Sequence, residues 1–109
     1  MKMATYNVQL LEPAQRELEE IAKIHLALSG PISAKKITDQ ILKSLSVLAE
    51  FPLSSPVISD SWLQKQEYRY LISGQYLCFY RLIGQTVFVY HIVHGKTDYP
   101  KLFASFEEE

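Results

Sequence analysis

Residues 68–94, YRYLISGQYLCFYRLIGQTVFVYHIVH, decide the fold. The stretch is dense in aromatic and β-branched side chains, which suit a pleated, half-buried surface. Two turn signals divide it, Ser73 to Gln75 and Gly84 with Gln85. Glycine supplies the positive φ that a tight hairpin connection needs. The segment therefore predicts three consecutive antiparallel strands. A regular hairpin about Gly84 sets Leu82 opposite Val87, Tyr80 opposite Val89, Cys78 opposite His91 and Tyr76 opposite Val93. Its other face then pairs Arg81 with Phe88, Phe79 with Tyr90 and Leu77 with Ile92. Both faces come out largely apolar.

Upstream, Tyr6 to Leu11 alternates as a short first strand, and Glu12 with Pro13 turns the chain into a helix. That helix is expected to reach about Leu28, with Ala14, Leu18, Ile21, Ala22 and His25 on one side. Ser29, Gly30 and Pro31 stop it. A second helix is expected from about Ser33 to Glu50, striped by Ile37, Ile41, Leu45, Leu48 and Ala49. Phe51 and Pro52 end it. The Ser- and Pro-containing stretch to about Gln66 reads as an irregular loop anchored by Trp62 and Leu63. The order is β-α-α-β-β-β, an α+β domain in which a helical hairpin covers one face of a small, mainly antiparallel sheet. Two helices cover only one face, so the other is expected to bind something apolar, a partner peptide in the first instance.

Composition bounds the class. A chain of 109 residues fits one domain, here 1–109 with a short acidic tail from about 104 to 109. At 48% hydrophobic and 21% charged residues it has the balance of a globular protein. No apolar run reaches the ~18–20 residues of a membrane span, and no signal segment opens the chain. With Cys78 as its one cysteine it can form no internal disulfide, so the cytoplasm is the expected compartment. A net charge of −1 argues against a general nucleic-acid binder. Six positive and six negative side chains balance in residues 1–59, whereas residues 60–106 carry five positive against three negative. An anion-facing surface therefore belongs to the C-terminal half.

The element order, with EPAQRELEEIAKI in the first helix, LAEFP ending the second, the quoted strands running on into HGK, and DYPKLF after them, resembles the RelE/ParE superfamily of toxins from bacterial toxin-antitoxin modules. The resemblance spans nearly the whole chain. It implies a toxin neutralised by a cognate antitoxin. It also implies one of two activities: cleavage of messenger RNA on the ribosome, or inhibition of DNA gyrase without cutting nucleic acid. Cleavage through a 2′-hydroxyl needs a base, cations facing the phosphorane and an acid for the leaving oxygen. The resemblance places Arg69, His94, Lys96 and Tyr99 at that site. Arg81 joins them on physical grounds as a nearby cation. Ribosome-dependent cleavage is the first reading, because HIVHGK and DY together supply a titratable group, a cation and an aromatic.

The gyrase-directed alternative stays open. Leu77 follows Tyr76 where the RNA-cleaving members carry a cation, and Thr97 stands where a second cation often sits. A relative that only binds its antitoxin is a third possibility. Neither a cofactor nor a metal is expected, since His91 and His94, three apart, point to opposite faces of a regular strand. His25 reads as a core-edge histidine, and Cys78 as a small buried hydrophobe.

Overall fold

A computed structural model describes residues 5–103. The acidic tail lies outside these residues. Strand β1 (Asn7–Leu10) leads into helix α1 (Glu12–Ser29) and helix α2 (Pro31–Ser46), which runs on into a 3-10 turn at Val47–Ala49. A short helix α3 (Ser61–Lys65), strands β2 (Arg69–Ser73), β3 (Tyr76–Ile83) and β4 (Thr86–His94), and a 3-10 turn at Tyr99–Phe103 complete the chain. The expected α+β order β-α-α-β-β-β holds. The sheet order is β1-β4-β3-β2, with β1 parallel to β4 and the other pairs antiparallel.

The helices break where the backbone requires it. Gly30 adopts φ 90°, and its N–H donates to the Leu26 carbonyl, closing α1. Proline then suits the first position of α2, where its missing N–H forfeits nothing. The second helix therefore starts at Pro31 rather than Ser33. The expected loop up to Gln66 contains α3, because Asp60 accepts the N–H groups of Trp62 and Leu63 at 3.1 Å each and caps a helical turn. Of the two anticipated anchors, Leu63 is buried and Trp62 is half-buried.

Two apolar clusters sandwich the sheet. Between sheet and helices lie Ala14, Ile21, Ile41, Leu45, Leu48, Cys78, Tyr80, Val87, Val89 and Ile92. The outer face is not left for a partner peptide. Ile58 and Leu63 from the 51–66 segment, Tyr68, and Phe103 from the last turn close over Phe79 and Tyr90. Phe103 meets the rings of Tyr68 at 4.8 Å and Phe79 at 5.9 Å. The chain thus supplies its own cover, and the expectation of an open apolar sheet face is corrected.

The β3–β4 register follows the sequence expectation only as far as the Tyr80–Val89 pair. Beyond it Phe79 pairs with His91, Cys78 with Ile92, Leu77 with Val93 and Tyr76 with His94. Tyr90 is the extra residue of a β-bulge. Such an insertion shifts the alternation by one, which sends Ile92 into the helix-side core and Val93 to the outer face. Strict alternation could not show it, since Tyr90, Ile92 and Val93 are all apolar or aromatic and suit either face.

Truncating the fully buried Ile41 to Ala should lower stability by about 2–5 kcal/mol in urea unfolding, through lost transfer energy and the cavity left behind. Burial also decides the alkaline behaviour. It pushes the Cys78 thiol from 9.0 up to about 12. Burial first, and the neighbouring Tyr90 second, push Tyr68 from 10.0 up to about 12 against the pull of Arg81. Both groups are held neutral in the folded chain, so their contribution is fully present below pH 9 and is lost as pH rises toward about 12. Urea midpoints should therefore fall between pH 8 and 11, less steeply in Cys78→Ala than in the parent. The native Cys78 thiol should resist a disulfide reagent until the chain unfolds.

Candidate functional site at the end of strand β4

The five residues expected to form one site are distributed over four places. Arg69, at the start of β2, pairs with Tyr80, which pairs in turn with Val89. His94 lies five residues further along β4, roughly 16 Å at the usual rise of a strand. The Arg69 guanidinium turns away from that end. Its Nη1 donates to the Ser55 carbonyl at 2.6 Å and more weakly to Leu53 at 3.4 Å. It lies in a separate hollow of about 210 Å³ with Leu53, Glu67 and Leu82. Its neighbour Tyr80 donates its hydroxyl to the Pro52 carbonyl at 2.8 Å. Together these contacts staple the 51–56 segment to the sheet.

Arg81 is committed within the outer cluster. Its Nη2 donates to the Tyr90 hydroxyl at 2.8 Å, and its guanidinium carbon stands 4.9 Å from the Tyr68 ring centre and 5.4 Å from that of Tyr90. A guanidinium over aromatic faces is held by the ring quadrupole as well as by packing. Tyr99 stacks obliquely on Phe79 at 4.9 Å. It lines a cleft of about 270 Å³ with Val57, Ser59, Tyr70 and Leu77.

His94 and Lys96 do come together. Both are exposed, and they line a hollow of about 470 Å³ that reaches Ile72 and Leu77. The Lys96 N–H donates to His94 Nδ1 at 3.2 Å, which assigns the ring proton of a neutral imidazole to Nε2. In that tautomer the outward nitrogen is a donor, and the lone pair a base would use is already engaged. The His94 ring stands edge-on to Tyr76 at 5.9 Å, and the Tyr76 hydroxyl is 2.9 Å from His25 Nε2. His25 thus belongs at the core edge, as expected, but through a hydrogen bond that spans 51 residues of sequence.

His94 also lines a second, larger groove of about 580 Å³ between α1 and the far end of β4. Glu17, which the sequence did not single out for a site, helps to shape it. Glu17 accepts from His91 Nδ1 at 3.0 Å and from the Ile92 backbone N–H at 3.0 Å. Only its place in EPAQRELEEIAKI, one turn into a helix expected to lie on the sheet, marked Glu17 in advance. Among the described residues, no group of three His, Cys, Asp or Glu side chains could hold a metal ion. No described helix is long and apolar enough to cross a membrane.

Comparison with known proteins agrees with this architecture. The chromosomal ParDE toxin-antitoxin system from P. aeruginosa superposes with a TM-score of 0.72 at 16% identity, covering 84% of this chain and 97% of that one. The toxin-antitoxin complex RelBE2 from Mycobacterium tuberculosis superposes with a TM-score of 0.56 at 19% identity, covering 83% of this chain and 98% of that one. At these identities the likeness establishes the fold. No curated protein matches the chain significantly. The family described as the ParE toxin of type II toxin-antitoxin system, parDE, matches residues 8–99, nearly the whole of the sheet and helical hairpin described above. This chain therefore belongs to the ParE toxin family of type II toxin-antitoxin systems.

Proposed function

We propose that this toxin is held in check by a cognate antitoxin and that, when free, it acts by binding DNA gyrase rather than by cutting RNA. The observation that carries this reading is the engagement of both strand arginines within the fold. Arg69 is tied to the Ser55 and Leu53 carbonyls, and Arg81 to Tyr90 between two aromatic rings. The two hollows that His94 lines contain, among the described residues, Arg16, paired with Glu12 at 3.5 Å, and Lys96 as their cations. Phosphoryl transfer through a 2′-hydroxyl calls for several cations converging on one phosphorane and a base with an available lone pair. This end of β4 has one cation beside an imidazole whose Nδ1 is already engaged. Leu77 in the same hollow adds apolar surface where a cleavage site would need charge. Binding to a protein target makes no such demand.

Two measurements test the reading. Purified toxin should abolish gyrase supercoiling of a relaxed plasmid and leave messages whole in a ribosome-programmed translation reaction. Cut messages that appear only with ribosomes, and disappear in His94→Ala, would transfer the activity to RNA. Stability should separate anchoring from exposed residues. Arg69→Ala should lose about 1.5–3 kcal/mol, as expected for charge-assisted hydrogen bonds to backbone carbonyls. Lys96→Ala and His94→Ala should stay within about 0.5 kcal/mol of the parent.

A further inference from the structure

β2 is an edge strand, and only its first half is covered. Residues 56–58 run beside that half. The Ile58 N–H donates to the Tyr68 carbonyl at 3.1 Å, the Tyr70 N–H donates to the Pro56 carbonyl at 3.2 Å, and Val57 bridges Arg69. Backbone groups that face away from a neighbouring strand recur every second residue, so the Ile72 N–H points the same way as that of Tyr70. Among the described residues no strand lies opposite it. The Ile72 side chain is on the outer face, in a row with Leu77 and Val93, and is 63% exposed.

Cations flank this edge on both sides. On the helix side, Ser44 of α2 shares a hydrogen bond with Ser73 at 2.8 Å, and Gln40 Nε2 stands 3.8 Å from the place a side chain at Gly74 would take. Lys36 and Lys43 sit one turn to either side of Gln40 on the same helix face. On the outer side, the Gly95 N–H donates to the Gln75 carbonyl at 2.9 Å, and Lys96 lines the hollow with Ile72 and Leu77. All three lysines are exposed, and among the described residues none pairs with a carboxylate. Lys23, Lys35 and Lys101, by contrast, are held by Glu20, Asp39 and Asp98 at 3.3, 2.6 and 3.6 Å. No acidic side chain lines the hollow.

We infer that this edge is the surface through which the toxin grips gyrase, and that it takes an extended acidic segment of that protein alongside residues 71–73. The inference rests on the gyrase reading and names its contact surface. Side chains of an extended segment alternate between two sides. Those on the outer side are apolar and cover Ile72 and Leu77. Those on the helix side are aspartate or glutamate and meet Lys36 and Lys43, and a further carboxylate reaches Lys96 across the hollow. The backbone of the segment completes the hydrogen bonding of Ile72. Charge and chemistry decide between occupants. A second toxin copy paired about Ile72 would set the α2 lysines of both copies against each other. A DNA backbone would answer the lysines but leave Ile72 and the strand edge unused.

Binding to purified gyrase without DNA, and inhibition of its supercoiling of a relaxed plasmid, test the surface. The variants are the pair Lys36→Glu with Lys43→Glu, the single Ile72→Asp, and, as a control of equal charge, Lys23→Glu with Lys35→Glu. The first two should each raise the half-inhibitory toxin concentration roughly tenfold or more and weaken DNA-free binding to match, with urea midpoints like the parent's. The control pair should inhibit as the parent does. The lysine pair, on an exposed helix face, decides the matter should Ile72→Asp fail to fold. An inhibiting parent whose lysine pair inhibits equally well, or whose control pair loses as much, overturns this surface and leaves the gyrase reading standing. A loss of binding seen only with plasmid present makes the ligand nucleic acid and overturns the acidic segment. A parent that leaves supercoiling intact overturns the gyrase reading and this surface together.

Discussion

One extra residue in β4 sets the geometry on which the rest of this toxin depends. Because Tyr90 is inserted between the Tyr80–Val89 and Phe79–His91 pairs, the strand changes the direction of its alternation halfway along. Before the bulge Val87 and Val89 face the helices; after it Ile92 takes that role and Val93 faces out. The displaced Tyr90 ring becomes a wall of the outer cluster, where its hydroxyl holds Arg81. The same shift aims the Ile92 N–H at Glu17 and leaves His94 at the junction of two hollows. Core, arginine clamp and the Glu17–Ile92 bond are thus three consequences of a single local insertion.

The charges illustrate how a fold consumes residues that look chemical. An arginine in a strand carries the same formal charge whether it faces a phosphate or a carbonyl. Here two carbonyls of the 51–56 segment and a pair of tyrosines take the two strand guanidiniums. Once so engaged, a guanidinium stabilises the fold through hydrogen bonds and packing and contributes little to the field over a distant groove. On the function proposed above, what remains near His94 serves protein contact rather than phosphoryl chemistry.

The covering of the sheet follows from economy of apolar surface. Helices α1 and α2 bury one face, and a small sheet apolar on both faces must find a second layer. The 51–66 segment and the last turn provide it through Ile58, Leu63 and Phe103, none of which belongs to a long periodic element.

Much of this was legible in the sequence. The density of Val, Ile, Phe and Tyr in residues 68–94, the glycines at the turns, and the Gly30–Pro31 break carried enough local preference to define strands, helices and their order, because those signals act over a few residues. The first three pairs of the β3–β4 hairpin and the burial of Cys78 followed from the turn and from simple alternation. The bulge at Tyr90, the second layer over the outer face, the inward commitment of Arg69 and Arg81, and the pairing of Glu17 with His91 and Ile92 did not. Each was decided by contacts that no residue's own propensity carries, from nine residues apart for Arg81 and Tyr90 to 75 for Glu17 and Ile92.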